Sequence, residues 1–216
     1  MDIADHWPLF RLRITTPRLL LRVPTDEDLV ELVEVAKAGV HDPMMMPFTV
    51  GWTDSPSPEL EQGALQYWWR CRAGFTPEDW DLTLAVVYEG RLVGAQSLSA
   101  SNFVELRTAE TGSWLGQSAH GQGIGREMRA AMVHFAFEYL GALAVISSAF
   151  TDNIASQRVS MATGYEPNGI GYAVRRGQRD EQLRFLLTRD RWEETRSDVS
   201  IEVEGHEASL PLFGLS

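Results

Sequence analysis

The sequence predicts an α/β protein, a mixed sheet flanked by helices, and three observations carry that prediction. Strand-like and helix-like segments alternate along the chain. The stretch Ser113 to Arg126 runs from a strand through a glycine-rich loop straight into a helix. Ala142 to Ala149 is a nearly continuous apolar run, as expected of a central strand covered on both faces. No internal repeat, low-complexity tract or linker breaks this order, so residues 1–216 read as a single domain.

Pro17 to Pro24 reads as a strand. Thr25 then has the character of an N-cap, followed by Asp26, Glu27 and Asp28 in the first turn of a helix that reaches about Ala38 and stops at Gly39. A loop with Pro43 and Pro47 separates it from a second helical pattern, Ser57 to about Arg72. Thr83 to Val87 and Arg91 to Leu98 are strand-like, and Glu89-Gly90 between them reads as a tight hairpin turn. Glu105 to Gly116 is the next strand. Ile124, Met128, Met132, Phe135 and Tyr139 recur at steps of three and four, which makes one apolar face of a helix ending at Gly141. After the apolar run, Asn153 to Thr163 is helical and stops at Gly164; strands at about Tyr165–Arg175 and Gln182–Thr188 flank a turn at Arg176-Gly177. In the terminal stretch 197–216, Val199 to Val203 alternates like an edge strand.

The strand–glycine loop–helix segment builds an anion cradle. Glycines let the backbone approach a ligand closely, and the unbonded N–H groups of a helix's first turn, aided by the helix dipole, point at whatever sits there. A phosphate-bearing cofactor is the expected guest. A dinucleotide site is not: counting from Gly121 and Gly123 puts Arg126 where a third small residue should stand, and the acidic residue needed about twenty positions later is missing from Leu143-Ala144-Val145-Ile146. No G-x-x-x-x-G-K-[ST] occurs.

His120-Gly121-Gln122-Gly123-Ile124-Gly125 resembles the pyrophosphate-binding R/Q-x-x-G-x-G/A signature of the GCN5-related N-acetyltransferases (GNAT), with His120 in place of the usual Arg or Gln. Asn153-Ile154-Ala155-Ser156 followed by Gly164-Tyr165 is similar to that family's N-x-x-S…G-[FY] segment. Ala109-Glu110-Thr111-Gly112-Ser113-Trp114-Leu115 resembles the A-E-x-G-x-W-L strand of its RimJ/RimL branch, and Thr16-Pro17-Arg18-Leu19 matches how that branch begins. The resemblance spans about residues 15–192 and leaves 197–216 as a C-terminal extension. It implies a GNAT fold, a mostly antiparallel sheet splayed between its fourth and fifth strands, here Glu105–Gly116 and Ala142–Ala149. The acyl-CoA arm then lies in the opening, paired like an added strand with backbone near Trp114, Leu115 and Gly116, while the pyrophosphate sits on Gln122 through Arg126. Local positive charge for that anion is expected from Arg126 and Arg129, although either arginine also suits an ordinary solvated helix face.

An amine attacking a thioester must lose a proton, and the leaving thiolate must gain or be shielded by one. Glu110 lies four residues before Trp114, on the same strand face. A carboxyl in an apolar strand has a raised pKa, which suits a general base acting through water; an exposed edge carboxylate is the competing reading. Asn153 reads as a helix N-cap, which puts Ser156 in the first turn, where N–H groups and the dipole favour a nascent thiolate. From the residues alone, capping and chemistry weigh about equally. The resemblance favours chemistry, with Asn153 holding the pantetheine arm.

The formal net charge of −11 argues against nucleic acid, and no apolar run is long enough for a membrane helix. The start lacks the features of a signal peptide, which leaves the cytoplasm as the expected location. The single cysteine, Cys71, excludes an intramolecular disulfide, reads as a packing residue, and leaves no metal site expected. Asp42 to Phe48 with Trp52, together with the Trp68-Trp69 helix, are where an amine acceptor would be recognised. Acetyl is the acyl group the resemblance implies by default, with succinyl used by some relatives; a homodimer is left open. Two rivals stand beside this reading. Gly116 to His120 comes within one residue of a G-x-S-x-G elbow around Ser118, with Asp198 and His206 following in hydrolase order, though His120 would crowd the turn. A non-catalytic acyl-CoA-binding module is the other, favoured by His120.

Overall fold

In a computed structural model that describes residues 2–196 and 198–216, the strands form one nine-stranded sheet. They are β1 (Arg13–Thr15), β2 (Leu19–Arg22), β3 (Asp79–Tyr88), β4 (Arg91–Ser101), β5 (Thr108–Leu115), β6 (Ala144–Phe150), β7 (Glu166–Arg175), β8 (Gln178–Thr188) and β9 (Glu202–Glu204). The order across the sheet is β7-β8-β6-β5-β4-β3-β2-β1-β9, and every neighbouring pair is antiparallel except β5 with β6. That parallel pair is short: Thr108 faces Ala144, Ala109 faces Val145 and Glu110 faces Ile146. Beyond Glu110 the strands part, as the resemblance implied.

Helix α1 (Asp26–Lys37) begins where Thr25 and Asp28 form a reciprocal capping box, and the Asp28 carboxylate also holds Arg22 of β2. Helix α2 (Glu59–Ala73) lies beside it, and Leu29, Leu32 and Trp68 pack on Ala85, Leu92 and Ala95 of the sheet face. The opposite face is covered by α4 (Ile124–His134), whose Ile124, Met128 and Met132 enter the main core with Leu21, Leu84 and Leu98. Helix α5 (Ile154–Ala162) packs beside α4 at Gly125, where an added Cβ would stand 3.6 Å from Val159. Short α6 (Arg189–Thr195) places Trp192 against Phe137.

Three elements depart from the sequence expectation. The strand expected from Glu105 starts at Thr108, because Phe103–Leu106 make one helical turn, α3. Its ends, Asn102 and Arg107, take left-handed backbone angles, and Phe103 is fully buried. The helix expected to end at Gly141 ends at Tyr139, its last five residues, Phe135–Tyr139, in π-helical form and closing on a Leu140 N–H to Phe135 carbonyl bond. Strand β6 is covered on one face only: Val145, Ser147 and Ala149 are buried, whereas Ala144, Ile146 and Ser148 are half-exposed because a cavity opens there. Of the edge strand expected at Val199–Val203 only the last two residues are strand: β9 is Glu202–Glu204, paired with β1 at the edge of the sheet. After it, the 3₁₀ segment Glu207–Phe213 inserts Phe213 between Phe75, Trp80 and Phe135. The C-terminal extension therefore completes the main core; Ser197 at its start lies outside the described residues.

Candidate active site

The loop 116–123 turns from β5 into α4 through two glycines with left-handed backbone, Gly121 (φ 75°) and Gly123 (φ 77°). Gly123 is the N-cap of α4 and supplies no side-chain cap, so the first-turn N–H groups of α4 are left for another acceptor. A Cβ at Gly121 would meet nothing within 4 Å, so the backbone there is open to a ligand, as an anion cradle requires. Gln122 is engaged by its own loop, its Nε2 donating to the Ser118 carbonyl at 2.8 Å. Arg126 is exposed on the outer side of the helix and lines a cleft with Trp192.

Of the two helix arginines only Arg126 stays exposed, on the first turn of α4. Arg129 turns inward and is buried. A further cation beside the cradle is Arg18, whose Nη1 donates to the Gln122 carbonyl at 3.0 Å while Nε holds Glu127 Oε2 at 2.7 Å. Thr16 Oγ1 donates to the other Glu127 oxygen at 2.6 Å, so β2's approach and α4's first turn are locked together. In the sequence, Thr16-Pro17-Arg18 stands only as a family likeness and gives Arg18 no role. A cation just before a β-strand gives no periodic signal that would pair it with a loop a hundred residues on.

His120 projects back from the loop to the end of β5, its Nε2 3.0 Å from the Leu115 carbonyl oxygen. That carbonyl faces the opening. Gly116 N–H donates to Val93 of β4, and strand alternation sends the backbone groups of Leu115 to the other edge, along with those of Ser113. Trp114 faces β4 through its backbone, but its side chain joins an aromatic row of His41, Phe48 and Trp52, with ring centroids 5.5 to 5.7 Å apart. The expected acceptor loop is thus present beside the opening. It is fastened to the β7–β8 turn: Arg176 grips the Asp54 carboxylate with two 2.7 Å bonds, and Arg175 reaches Asp152 and the Met46 carbonyl. Of the expected tryptophans, Trp68 belongs to the core and Trp69 is exposed.

Glu110 sits where β5 and β6 part. Ser99 is its partner on β4, and Asp81 is opposite Ser99 on β3, so one polar row crosses three strands on one face. This row floors a cavity of about 570 Å³ beneath α2, with Asp79, Ser101 and Ile146 among its walls. Glu110 is exposed, as the edge-carboxylate reading expected, yet it stands over an open cavity where partial desolvation pushes its carboxyl up from the ordinary value. The Ser148 hydroxyl, 3.5 Å away, and the Arg184 charge act against that rise. Asp81 is held by Tyr67 at 3.0 Å and Thr83 at 2.8 Å. Cys71 borders the same cavity, and burial followed by the Asp81 charge pushes its thiol up to about 11, which denies it a thiolate at neutral pH.

Across the opening, Asn153 caps α5 by accepting from Ser156 N–H at 3.1 Å. Ser156 is half-exposed, and its hydroxyl makes no hydrogen bond among the described residues. Capping by Asn153 and a free hydroxyl on Ser156 therefore coexist. The serine-hydrolase constellation is not assembled. Ser118 lies in the 3₁₀ turn Gln117–Ala119 that precedes α4, whereas His206 meets Tyr139 edge-on at 4.5 Å, at the far end of the helix, fifteen residues and about 22 Å from Ile124 at 1.5 Å per residue. Among the described residues no helix is long and apolar enough to cross a membrane, and no group of three His, Cys, Asp or Glu side chains is placed to hold a metal ion.

A sheet splayed between two neighbouring central strands, here β5 and β6, beside a glycine-rich helix start defines the acyl-CoA-dependent N-acetyltransferases. The Acetyltransferase (GNAT) domain matches residues 18–166, and the chain belongs to that family. The fold recurs in solved structures of low sequence identity. A putative ribosomal-protein-serine acetyltransferase from Vibrio cholerae is 22% identical, with a TM-score of 0.65 over 82% of this chain and 97% of that one. Mycobacterium smegmatis RimJ, in complex with CoA-disulfide, is 16% identical, with a TM-score of 0.64 over 85% and 90%. RimL, a ribosomal L7/L12 alpha-N-protein acetyltransferase in complex with coenzyme A, is 18% identical, with a TM-score of 0.63 over 82% and 97%.

Proposed function

We propose that the protein transfers an acyl group from acyl-CoA to a primary amine by direct attack on the thioester, and that residues 1–216 act as one acyltransferase domain. The observation that carries this is the parting of β5 and β6 immediately after Glu110, with the unbonded start of α4 at the other end of the same edge. The pyrophosphate would rest on Gly121 to Gly125 and Arg126, beside Arg18. The pantetheine amides would pair with the free backbone groups of Ser113 and Leu115, which places the thioester near Glu110. His120 would yield the Leu115 carbonyl, and Asn153 would use its remaining amide N–H groups toward the arm.

The amine enters from the cavity under α2, where Asp79, Asp81 and Glu110 suit a protonated amine. Glu110, through a water, takes one proton from the bound ammonium and so frees the lone pair that forms the C–N bond; as the C–S bond breaks, the CoA sulfur leaves with the electron pair beside Ser156, whose hydroxyl hydrogen-bonds to it, and the amine's second proton passes to that thiolate. The acceptor class is a primary amine, either a small molecule or the N-terminus of a protein as RimL's name states for its own substrate. Acetyl is the default acyl group and succinyl the alternative. Incubation with acetyl-CoA or succinyl-CoA and an amine panel, with thiol release and product mass as readouts, tests the reading. Binding of CoA without turnover of any amine would replace it with a binding module, and failure to bind CoA would remove it altogether.

A further inference from the structure

Arg129, in the second turn of α4, is 2% exposed, an unusual place for a guanidinium. Its Nη2 donates to Ser113 Oγ and its Nη1 to Ser147 Oγ, each at 3.2 Å. Ser113 belongs to β5 and Ser147 to β6, just past the last paired residues, so the cation spans the parting of the two strands. The rest of its surroundings are neutral. The Tyr165 ring lies 6.0 Å away and its hydroxyl, bound to Thr111, also interacts with the guanidinium, while Arg129 Nε has no partner.

Carboxylates within reach by sequence are committed elsewhere. Glu127, on the preceding turn, is taken by Thr16 and Arg18, and Glu110 leaves β5 on the opposite face, toward Ser148. Among the described residues Arg129 forms no ion pair. A buried charge is ordinarily kept only where an opposite charge or a full set of hydrogen bonds compensates it, and the hydroxyls of Ser113, Ser147 and Tyr165 are a partial set. Ser113 is half-exposed and its contact with Nη2 is only partly buried, whereas the Ser147 contact is buried, so the Ser113 end of the guanidinium is the one nearer the opening.

We propose that Arg129 selects the acyl donor, pairing with a carboxylate at the far end of the acyl chain, so that the favoured co-substrate is the CoA thioester of a short dicarboxylic acid. The inference rests on the reading of the cleft as the acyl-CoA site and gives it a direction. The amine approaches from the Glu110 face, and the acyl tail turns to the Arg129 face. The guanidinium takes no part in bond making or breaking; it fixes the tail by a charge-assisted, two-pronged contact that a neutral chain cannot make.

Affinity measurements test this without knowledge of the acceptor. Titration calorimetry of the full chain with succinyl-CoA and with butyryl-CoA, which matches it in chain length but lacks the charge, should give wild-type dissociation constants differing by at least about tenfold in favour of succinyl-CoA, the worth of one hydrogen bond to a charged group. In Arg129→Gln that ratio should fall towards one, with Arg129→Lys in between. A packing role alone would move both ligands together and leave the ratio intact, which would overturn the proposal. So would a wild-type protein that binds butyryl-CoA as tightly as succinyl-CoA, a result that needs no variant to fold. If neither thioester nor acetyl-CoA binds, the reading of the cleft fails and this proposal with it.

Discussion

Replacing Glu110 with Gln keeps the shape of the side chain and removes its capacity to accept a proton. The structure sets both the size and the pH signature of the effect. Glu110 is the carboxyl nearest the parting of β5 and β6, and a positioned base contributes roughly 10²- to 10⁴-fold, so kcat should fall by that amount in Glu110→Gln. Because partial desolvation raises its pKa, the acidic limb of kcat/KM in the wild type should lie above the range of an ordinary glutamate and should vanish in the variant. Stability supplies a control of opposite sign. A carboxyl whose folded pKa is raised binds more protons folded than unfolded between the two pKa values, so stability falls as pH rises through that window. Removing the charge should therefore leave the variant at least as stable as wild type at neutral pH. The assay is kcat/KM against pH with one amine and saturating acyl-CoA, alongside urea melts at pH 7. Activity within a few-fold of wild type, with the acidic limb unchanged, would refute the assignment; so would a lost activity that tracks lost stability.

The cradle is tested by Gly123→Asp: the left-handed backbone and the negative charge beside the first turn of α4 should abolish the rise in Tm that acetyl-CoA gives the wild type, read by thermal shift. Ser156→Ala should lower kcat by about 10- to 10²-fold, the worth of a hydrogen bond to a developing charge, with the CoA dissociation constant unchanged because Asn153 still caps α5. Equal kcat would leave Ser156 with no chemical role. Phe213→Ala should cost about 3 to 5 kcal/mol in denaturant unfolding, since the ring is fully buried among three aromatic partners; a loss under 1 kcal/mol would mean the C-terminal segment is not part of the cooperative core.

Much of this was legible because it is periodic or punctuated. The α1 capping box, the hairpin at Glu89-Gly90 and the glycine-rich entry to α4 each depend on residues close in sequence, and each formed as read. Glu110 and Ser156 were legible as strand and helix positions, and the structure adds the cavity and the free hydroxyl. What stayed hidden depends on long-range partners. Arg18 acquires its place only when β2 meets the loop before α4, and Arg129 reads as one more helical arginine until the strands beneath it part. Strand β6 looked like a fully covered strand because its apolar run ignores the vacancy on one side, which belongs to α2 and β3 rather than to β6 itself.

The sheet consists of two antiparallel blocks, β9 through β5 and β6-β8-β7, whose strands pair over three residue pairs, with Thr111 and Arg129 bridging them beyond. Three pairs make a hinge about 7 Å long at 3.3 Å per residue, while Trp114, four residues beyond Glu110, lies about 13 Å from the pivot. A rotation of about 5° of one block on the other would therefore widen or narrow the mouth by about 1 Å while hardly moving Glu110. Leverage of this kind separates two demands on one cleft: the end where bonds change stays fixed, and the end where a long, flexible arm must enter and leave can breathe. The loop strapped to the β7–β8 turn by Arg176 and Asp54 ties one block to the other on the far side of the opening.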